Sequence, residues 1–93
     1  TWGPVTLDPA MRAVALDEIA LTLTTREFAL LEALLRARGA VLTREQLEQA
    51  LYGWDEEVDS NALEVHIHNL RRKLGAERIR TVRGVGYAMA PED

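Results

Sequence analysis

Residues 60–75 hold the densest set of chemically useful side chains in the sequence: two amides, two imidazoles and three cationic groups. A helix over this stretch, at about 100° per residue, collects the apolar residues on one side, namely Leu63, Ile67, Leu70 and Leu74. The opposite side carries Asn61, Val65, His68 and Arg72, with Asn69 beside them. A helix with such an outer face can enter a DNA major groove and reach base edges, so double-stranded DNA is the predicted partner.

Asn61, Asn69 and Val65 are candidate base contacts. Asn61 and Asn69 each offer a donor and an acceptor that can pair with adenine, and Val65 can contact a thymine methyl group. Val65 can equally be a scattered surface residue without a function.

The imidazole and cationic residues predict a mixture of contacts. His68 and Arg72 can reach bases or phosphates. Arg71 and Lys73 are predicted phosphate ligands, which position a protein without reading its sequence. His66 lies on the flank of the helix, where a structural hydrogen bond and a phosphate contact are both open.

A second candidate contact is the turn of a C-terminal hairpin. Residues 79–82 and 87–89 are typical of strands, and the two glycines in the sequence RGVG between them permit positive φ in a turn. Arg83 in that turn fits the narrow, electronegative minor groove, although a solvated turn residue is the alternative. Thr81 and Tyr87 are predicted neighbouring phosphate contacts, and both are also good strand formers.

Catalytic and metal-binding functions receive little support. His66 and His68 would point about 200° apart on a helix, and zinc pairs require another spacing. The acidic run 55–59 lacks the order of a calcium loop, and Ser60, the only serine, lacks a nucleophile motif. The chain has no cysteine. We therefore expect no enzymatic activity, no metal and no cofactor.

Three predicted helices and two groups of strands would position these residues. Apolar residues alternate between 5 and 23, which is typical of three or four short antiparallel strands. Capping boxes at 24–27 and 43–46 each begin a helix, and Gly39 is the predicted end of the first. Residues predicted to face the interior are Leu21, Leu23, Phe28, Leu31, Leu34, Leu35, Leu47, Ala50, Leu51, Leu63, Ile67, Leu70 and Leu74.

Length and charge predict one domain with an uneven charge distribution. The 93 residues carry a net charge of −4, yet residues 60–83 hold six basic and two acidic side chains. One end of the domain can therefore face a polyanion. No run approaches the roughly 20 apolar residues of a membrane helix, so we expect a cytoplasmic protein without membrane contact. Because the chain begins with Thr1 rather than Met, we expect it to be part of a longer protein.

Four segments between Thr24 and Tyr87 carry a resemblance that covers nearly the whole chain, from about Val5 to Met89. They are Thr24-x-x-Glu27 with Leu30-Leu31, Leu42-Thr43-Arg44-Glu45-x-Leu47, the stretch 60–75, and Ile79-Arg80-Thr81-Val82-Arg83-Gly84-Val85-Gly86-Tyr87. Together they resemble the OmpR/PhoB-type effector domain of bacterial response regulators. The run V-H-I-H-N-L-R is most similar to the PmrA/QseB branch of that family.

The resemblance implies an α+β winged helix-turn-helix fold over residues 1–93, with a four-stranded N-terminal antiparallel sheet, a three-helix core and a C-terminal β-hairpin wing. It also implies a phosphorylatable receiver domain before Thr1, served by a cognate histidine kinase. Such a protein would be a monomer as an isolated effector domain and a dimer on direct repeats of promoter DNA.

The resemblance also implies roles for individual positions. Those facing DNA match Asn61, Val65, His66, Asn69 and Arg71, and those lining the wing match Thr81, Arg83 and Tyr87. The loop that can contact RNA polymerase matches Tyr52, Gly53, Trp54, Asp55, Glu56, Glu57 and Val58. Many family members have Arg where this chain has Asn61, His68 and Asn69, so base preference does not carry over, and the loop is unusually acidic.

The favoured function is sequence-specific binding of double-stranded DNA that regulates transcription under phosphorelay control. The alternative is a winged-helix module whose partner is a protein, either RNA polymerase or another copy of itself. The net charge of −4 and the acidic loop favour the alternative, whereas the basic helix end and the wing arginine favour DNA.

Overall fold

The computed structural model describes residues 2–52 and 62–91, which form two antiparallel sheets and three α-helices. The elements in order are β1 (Val5–Asp8), β2 (Ala13–Leu16), β3 (Ile19–Leu21), α1 (Thr25–Arg36), β4 (Leu42–Thr43), α2 (Arg44–Tyr52), α3 (Ala62–Leu74), a 3₁₀ turn (Ala76–Arg78), β5 (Ile79–Val82) and β6 (Gly86–Met89). This arrangement confirms the predicted winged helix-turn-helix architecture.

The N-terminal sheet has the strand order β1-β2-β3, with Val5 paired to Leu16 and Val14 paired to Leu21. Val5 and Val14 are buried against the helices. The fourth strand implied by the resemblance is wrong for the described residues. Trp2 makes only an isolated bridge to Val5, and the residues after β3 lead directly into the cap of α1.

Helix α1 begins at the predicted capping box. The Glu27 backbone N–H donates to Thr24 Oγ1 at 3.1 Å, and the Thr24 N–H donates to Glu27 Oε1 at 3.0 Å. The helix ends at Arg36, and Arg38, not the predicted Gly39, is the first residue with positive φ, at +51°. Gly39 follows at φ +89°, where a Cβ would lie 3.2 Å from the Trp2 ring. Glycine is therefore favoured there by both backbone and packing.

Helix α2 follows directly from the two-residue strand β4. Its capping box is confirmed: the Thr43 N–H donates to Gln46 Oε1 at 2.8 Å, and the Gln46 N–H donates to Thr43 Oγ1 at 3.1 Å. Leu47 and Leu51, one turn apart, are buried. The prediction that Ala50 faces inward is wrong, because the narrow buried stripe of α2 leaves Ala50 exposed.

The core lies among the three helices and is closed by one face of each sheet. Every predicted interior residue of α3 is buried, as are Phe28, Leu31 and Leu34 of α1, while Leu21, Leu23 and Leu35 are half-buried. The sequence-based list omits buried residues that come mostly from strands. These are Val5, Val14, Leu30, Ile79, Ala88 and Met89.

The second sheet has the order β4-β6-β5 and joins the wing hairpin to the start of α2. The residue pairs Leu42–Tyr87 and Thr43–Gly86 connect β4 to β6. A Cβ on Gly86 would overlap the Leu42 carbonyl oxygen, so only glycine fits this strand pairing. Of the two turn glycines, only Gly84 has positive φ, at +76°, whereas Gly86 is required by the close approach.

Candidate nucleic-acid interface

The outer face of α3 is solvent-exposed over the residues predicted to read DNA. Leu63, Ile67, Leu70 and Leu74 anchor the opposite face in the core. Val65 is 49% exposed, and His68 and Arg72 are exposed with it. The predicted separation of the two faces is therefore present in the structure.

Asn69 and His66 lie half-buried on the two flanks of this face. Asn69 lines an open depression of about 300 Å³ together with Glu27, Arg72 and Lys73. The His66 Nδ1 atom is buried and has no hydrogen-bond partner among the described residues. A structural hydrogen bond was one of the two roles predicted for His66, and Nδ1 does not make it within residues 2–52 and 62–91.

The Arg71 guanidinium is held by the wing. Its Nε and Nη2 atoms donate to the Ile79 carbonyl at 3.0 and 2.9 Å, and Nη2 also donates to Thr81 Oγ1 at 2.7 Å. The guanidinium carbon lies 5.7 Å from the centroid of the Tyr87 ring, within the range of a cation–π contact. Arg71 therefore connects the end of α3 to both strands of the hairpin.

The Lys73 ammonium group is held by the N-terminus of α1. It donates to Glu27 Oε1 at 2.6 Å and to the Thr22 carbonyl at 2.9 Å. Burial raises the pKa of the Glu27 carboxyl, but the hydrogen bonds from Lys73 and from the Thr24 backbone, together with the nearby positive charge, lower it more, so the pKa lies below its ordinary value. A charged Glu27 is therefore part of the stable fold, and it fixes α3 relative to α1.

The wing turn presents Arg83 to solvent. Arg83, Gly84 and Val85 are exposed at the turn between β5 and β6, with Val85 47% exposed. Thr81 is exposed, and Tyr87, its partner across the hairpin, is half-buried. Sequence analysis assigned no contact to Val85, although it is the apolar residue of the RGVG turn.

The helix-turn-helix pair and the wing are tied by backbone contacts at the start of α2. The Arg44 N–H donates to the Val85 carbonyl at 3.1 Å. The Arg44 side chain also forms ion pairs with Glu48 of α2 and with Glu64 of α3. One residue therefore contacts the wing turn, its own helix and the N-terminal turn of α3, and sequence analysis gave no signal for it beyond the capping box.

Part of the predicted site lies outside the described residues. Asn61 is one such residue, and the predicted polymerase-contact residues 53–58 are the others. Tyr52, the first residue of that loop motif, is the last residue of α2.

No group of three His, Asp or Glu side chains within residues 2–52 and 62–91 is placed to hold a metal ion. Among the same residues, no helix combines the length and apolar character needed to span a membrane.

Comparisons with known proteins agree with this geometry. Residues 18–89 match the family model described as "Transcriptional regulatory protein, C terminal". The chain is 58% identical over 87 residues to the response regulator protein PmrA of Pseudomonas aeruginosa, covering 94% of this chain and 39% of that protein. It is also 58% identical over 87 residues to the transcriptional regulatory protein QseB of Escherichia coli O157:H7, covering 94% of this chain and 40% of that protein.

Among solved structures, the chain is similar to the RstA DNA-binding domain of Klebsiella pneumoniae in complex with the RstA box. The TM-score is 0.85 and the sequence identity 34%, and the superposition covers 98% of this chain and 95% of that one. The similarity therefore extends over a whole domain, including the helices and the wing.

Proposed function

Because the chain belongs to the family of C-terminal domains of transcriptional regulatory proteins, we propose that it binds double-stranded DNA sequence-specifically as the effector domain of a bacterial response regulator. The resemblance to the OmpR/PhoB type and to its PmrA/QseB branch is confirmed by the family match and the two relatives. One observation carries the proposal: α3 is buried on its apolar face and exposes a polar outer face beside a wing that ends in Arg83. The proposed activity is binding, without a catalytic step.

In this proposal α3 is the recognition helix. Asn69 and, from its place in the sequence, Asn61 hydrogen-bond to adenine edges, and Val65 contacts a thymine methyl group. His68 and Arg72, both exposed on the same face, reach bases or phosphates. Val65 is exposed among polar neighbours, and a contact with an apolar group of the DNA would give this valine a function.

The wing supplies the second contact. Arg83 enters the minor groove, where the narrow groove concentrates negative potential. Thr81 and Tyr87 lie below it on facing strands, where their hydroxyl groups can donate to phosphates.

The remaining basic residues of α3 act from fixed positions. The Arg71 guanidinium binds uncharged groups of the wing and so adds positive potential at the DNA surface, whereas the charge of Lys73 is compensated by the Glu27 carboxylate. His66 lies half-buried on the flank of α3, and its imidazole is the proposed phosphate contact on that side.

The whole protein is proposed to be larger than this chain, which spans about 40% of the length of the curated relatives it matches. A receiver domain before Thr1, phosphorylated by a cognate histidine kinase, would promote dimers on direct repeats of promoter DNA. The loop from Tyr52 to residue 58 is the proposed contact with RNA polymerase. A DNA target of this kind favours a cytoplasmic location.

A selection from random double-stranded DNA, followed by titration of the recovered pool at two salt concentrations, tests the proposal. A recovered sequence motif with steep salt dependence is the expected result, because each neutralised phosphate contributes about −0.9 to the slope of log K against log salt. A folded domain that enriches no sequence and binds without salt dependence would refute it. The protein-binding winged helix would then be the better interpretation.

Two variants separate base reading from backbone binding. Asn69→Ala should cost about 1–3 kcal/mol at one base pair and relax discrimination there, leaving other positions unchanged. Arg83→Ala should weaken binding to all sequences and flatten the salt slope. Arg38→Ala, at an exposed arginine just after α1 and away from α3 and the wing, is the matched control and should bind like the parent. If both site variants also bound like the parent, the proposed footprint would be wrong.

A further inference from the structure

Among the described residues, every group that the Arg71 guanidinium binds belongs to the wing hairpin. Ile79 begins β5, and Thr81 and Tyr87 are directly paired across β5 and β6. Arg83 follows Thr81 by two residues and occupies the turn. The guanidinium of a helix residue therefore holds both strands of the wing immediately below the turn that carries the exposed arginine.

The chemistry of this contact is specific to arginine. A guanidinium is planar and presents its donors in a rigid fork, so it can bind a carbonyl and a hydroxyl group while its face lies near an aromatic ring. Arg71 meets these requirements with hydrogen bonds of 2.7–3.0 Å to Ile79 and Thr81 and with its guanidinium carbon 5.7 Å from the centroid of the Tyr87 ring. The ammonium group of a lysine is a point charge on a flexible stem and cannot reproduce the planar fork of donors.

Resting on the proposed DNA-binding function, we infer that Arg71 is a positioning residue for the wing. It fixes the hairpin relative to α3, so that Arg83 and the outer face of the recognition helix engage one DNA duplex together. A contact surface that is already ordered loses less conformational entropy on binding, and this is how Arg71 adds affinity. In this role Arg71 acts through Arg83 and does not serve as an independent phosphate ligand.

The Arg71→Lys variant tests the inference because it keeps the positive charge and the aliphatic stem. A phosphate contact would survive the change, since lysine is itself a phosphate ligand, whereas the fork to Ile79 and Thr81 would be lost. Arg36→Lys is the matched control, because Arg36 pairs with Glu32 on the exposed surface of α1, away from the proposed interface. The control should leave binding and wing dynamics unchanged.

The first measurement needs no DNA. Amide hydrogen exchange reports opening of the hairpin at Val85, whose N–H donates to the Val82 carbonyl, and opening of α1 at Phe28, whose N–H donates to the Thr24 carbonyl. In Arg71→Lys, exchange at Val85 should be about tenfold faster while exchange at Phe28 is unchanged, corresponding to about 1.4 kcal/mol of local stability. Unchanged exchange at Val85 in a folded variant would overturn the inference, whether or not the domain binds DNA.

The second measurement is a double-mutant cycle with Arg83→Ala. The probe is the duplex recovered by the selection, or a random-sequence duplex if no motif is recovered. Arg71→Lys should weaken binding about tenfold in the parent and have no further effect once Arg83 is alanine, because the two residues act as one unit. Additive losses would show that Arg71 acts independently of Arg83. Parent-like binding by Arg71→Lys would identify Arg71 as a phosphate ligand that lysine can replace or as a dispensable residue. Either result would overturn the positioning role.

The two measurements separate this inference from the proposed function. If the parent chain bound no DNA, the proposed function would fail, while hydrogen exchange would still decide whether Arg71 holds the wing. If the parent bound DNA and the cycle were additive, the function would stand and the positioning role would fall.

Discussion

Glu27 is the charged residue whose loss should most affect the stability of the fold. The Glu27 side chain is 3% exposed, whereas that of its partner Lys73 is 36% exposed. Removing one member of a fully buried ion pair costs about 3–5 kcal/mol, and an exposed pair contributes about 0.2–1 kcal/mol. Lys73 can regain water when its partner is lost, so Glu27→Gln should lower the free energy of unfolding by an intermediate amount, about 2 kcal/mol.

The Glu27→Gln substitution isolates the charge from the capping interaction. Glutamine at this position can still accept the Thr24 N–H, since capping boxes use either residue. Thermal unfolding should show a decrease in Tm of about 10 °C or slightly more for a domain of this size. The control is Glu32→Gln on the same helix, where the ion pair with Arg36 is exposed, and it should cost less than about 0.5 kcal/mol.

The pH dependence of the difference in unfolding free energy between the parent and Glu27→Gln tests whether the buried charge is responsible. The pKa of Glu27 in the folded protein lies below the ordinary value of 4.5, so the folded state binds this proton less readily than the unfolded chain. The stabilisation is therefore complete above pH 4.5 and decreases as the pH falls through the folded pKa. A loss from Glu27→Gln that stayed constant into strong acid, or that equalled the loss from Glu32→Gln, would show that the buried charge is not responsible.

Three further changes should alter the free energy of unfolding measured in urea. Gly86→Ala should destabilise by more than about 2 kcal/mol because the new Cβ overlaps a carbonyl oxygen of β4, whereas Gly84→Ala, with open space around it and positive φ, should cost about 1 kcal/mol. Leu30→Ala should cost about 2–5 kcal/mol because the residue is fully buried, whereas Ile19→Ala, at a position 69% exposed, should cost less than about 1 kcal/mol. Gln46→Ala should cost about 0.5–1 kcal/mol by removing half of the capping box of α2.

Gly84→Ala is the control for Gly86→Ala, and Ile19→Ala is the control for Leu30→Ala. Equal losses of unfolding free energy in Gly84→Ala and Gly86→Ala would indicate that both come from backbone conformation, and they would contradict the close approach of β4 to Gly86. Equal losses at Leu30 and Ile19 would contradict the assignment of Leu30 to the core. A Gln46→Ala variant as stable as the parent would show that the hydrogen bond from Thr43 is replaced by water at no cost.

Interactions between near neighbours in sequence were predictable. Both capping boxes depend on residues three apart, and both are present as predicted. The buried face of α3 also follows from a local spacing, because the positions of Leu63, Ile67 and Leu70 on a regular helix fix which side must be covered. The exposed outer face, and with it the candidate site, follows from the same periodicity.

Contacts between distant residues were not predictable from local patterns. Strand β4 has two residues, which are too few to show an alternation of apolar and polar side chains. Its pairing with β6 is the reason why Gly86 must be glycine. The partner of Lys73 is Glu27, 46 residues away, and nothing near either residue indicates the other. From the sequence alone, basic residues at the end of a helix are therefore predicted to bind phosphates, and only the folded structure shows their partners within the protein.

The indole N–H of Trp2 donates to the Ala90 carbonyl at 2.7 Å, between residues 88 positions apart. The two ends of the described chain therefore lie next to each other, and this hydrogen bond closes the backbone between them into a loop. A domain closed in this way can be grafted through a single point of a host protein without stretching either connection. It can also pivot about that point as a rigid body, so a change of orientation need not disturb the core.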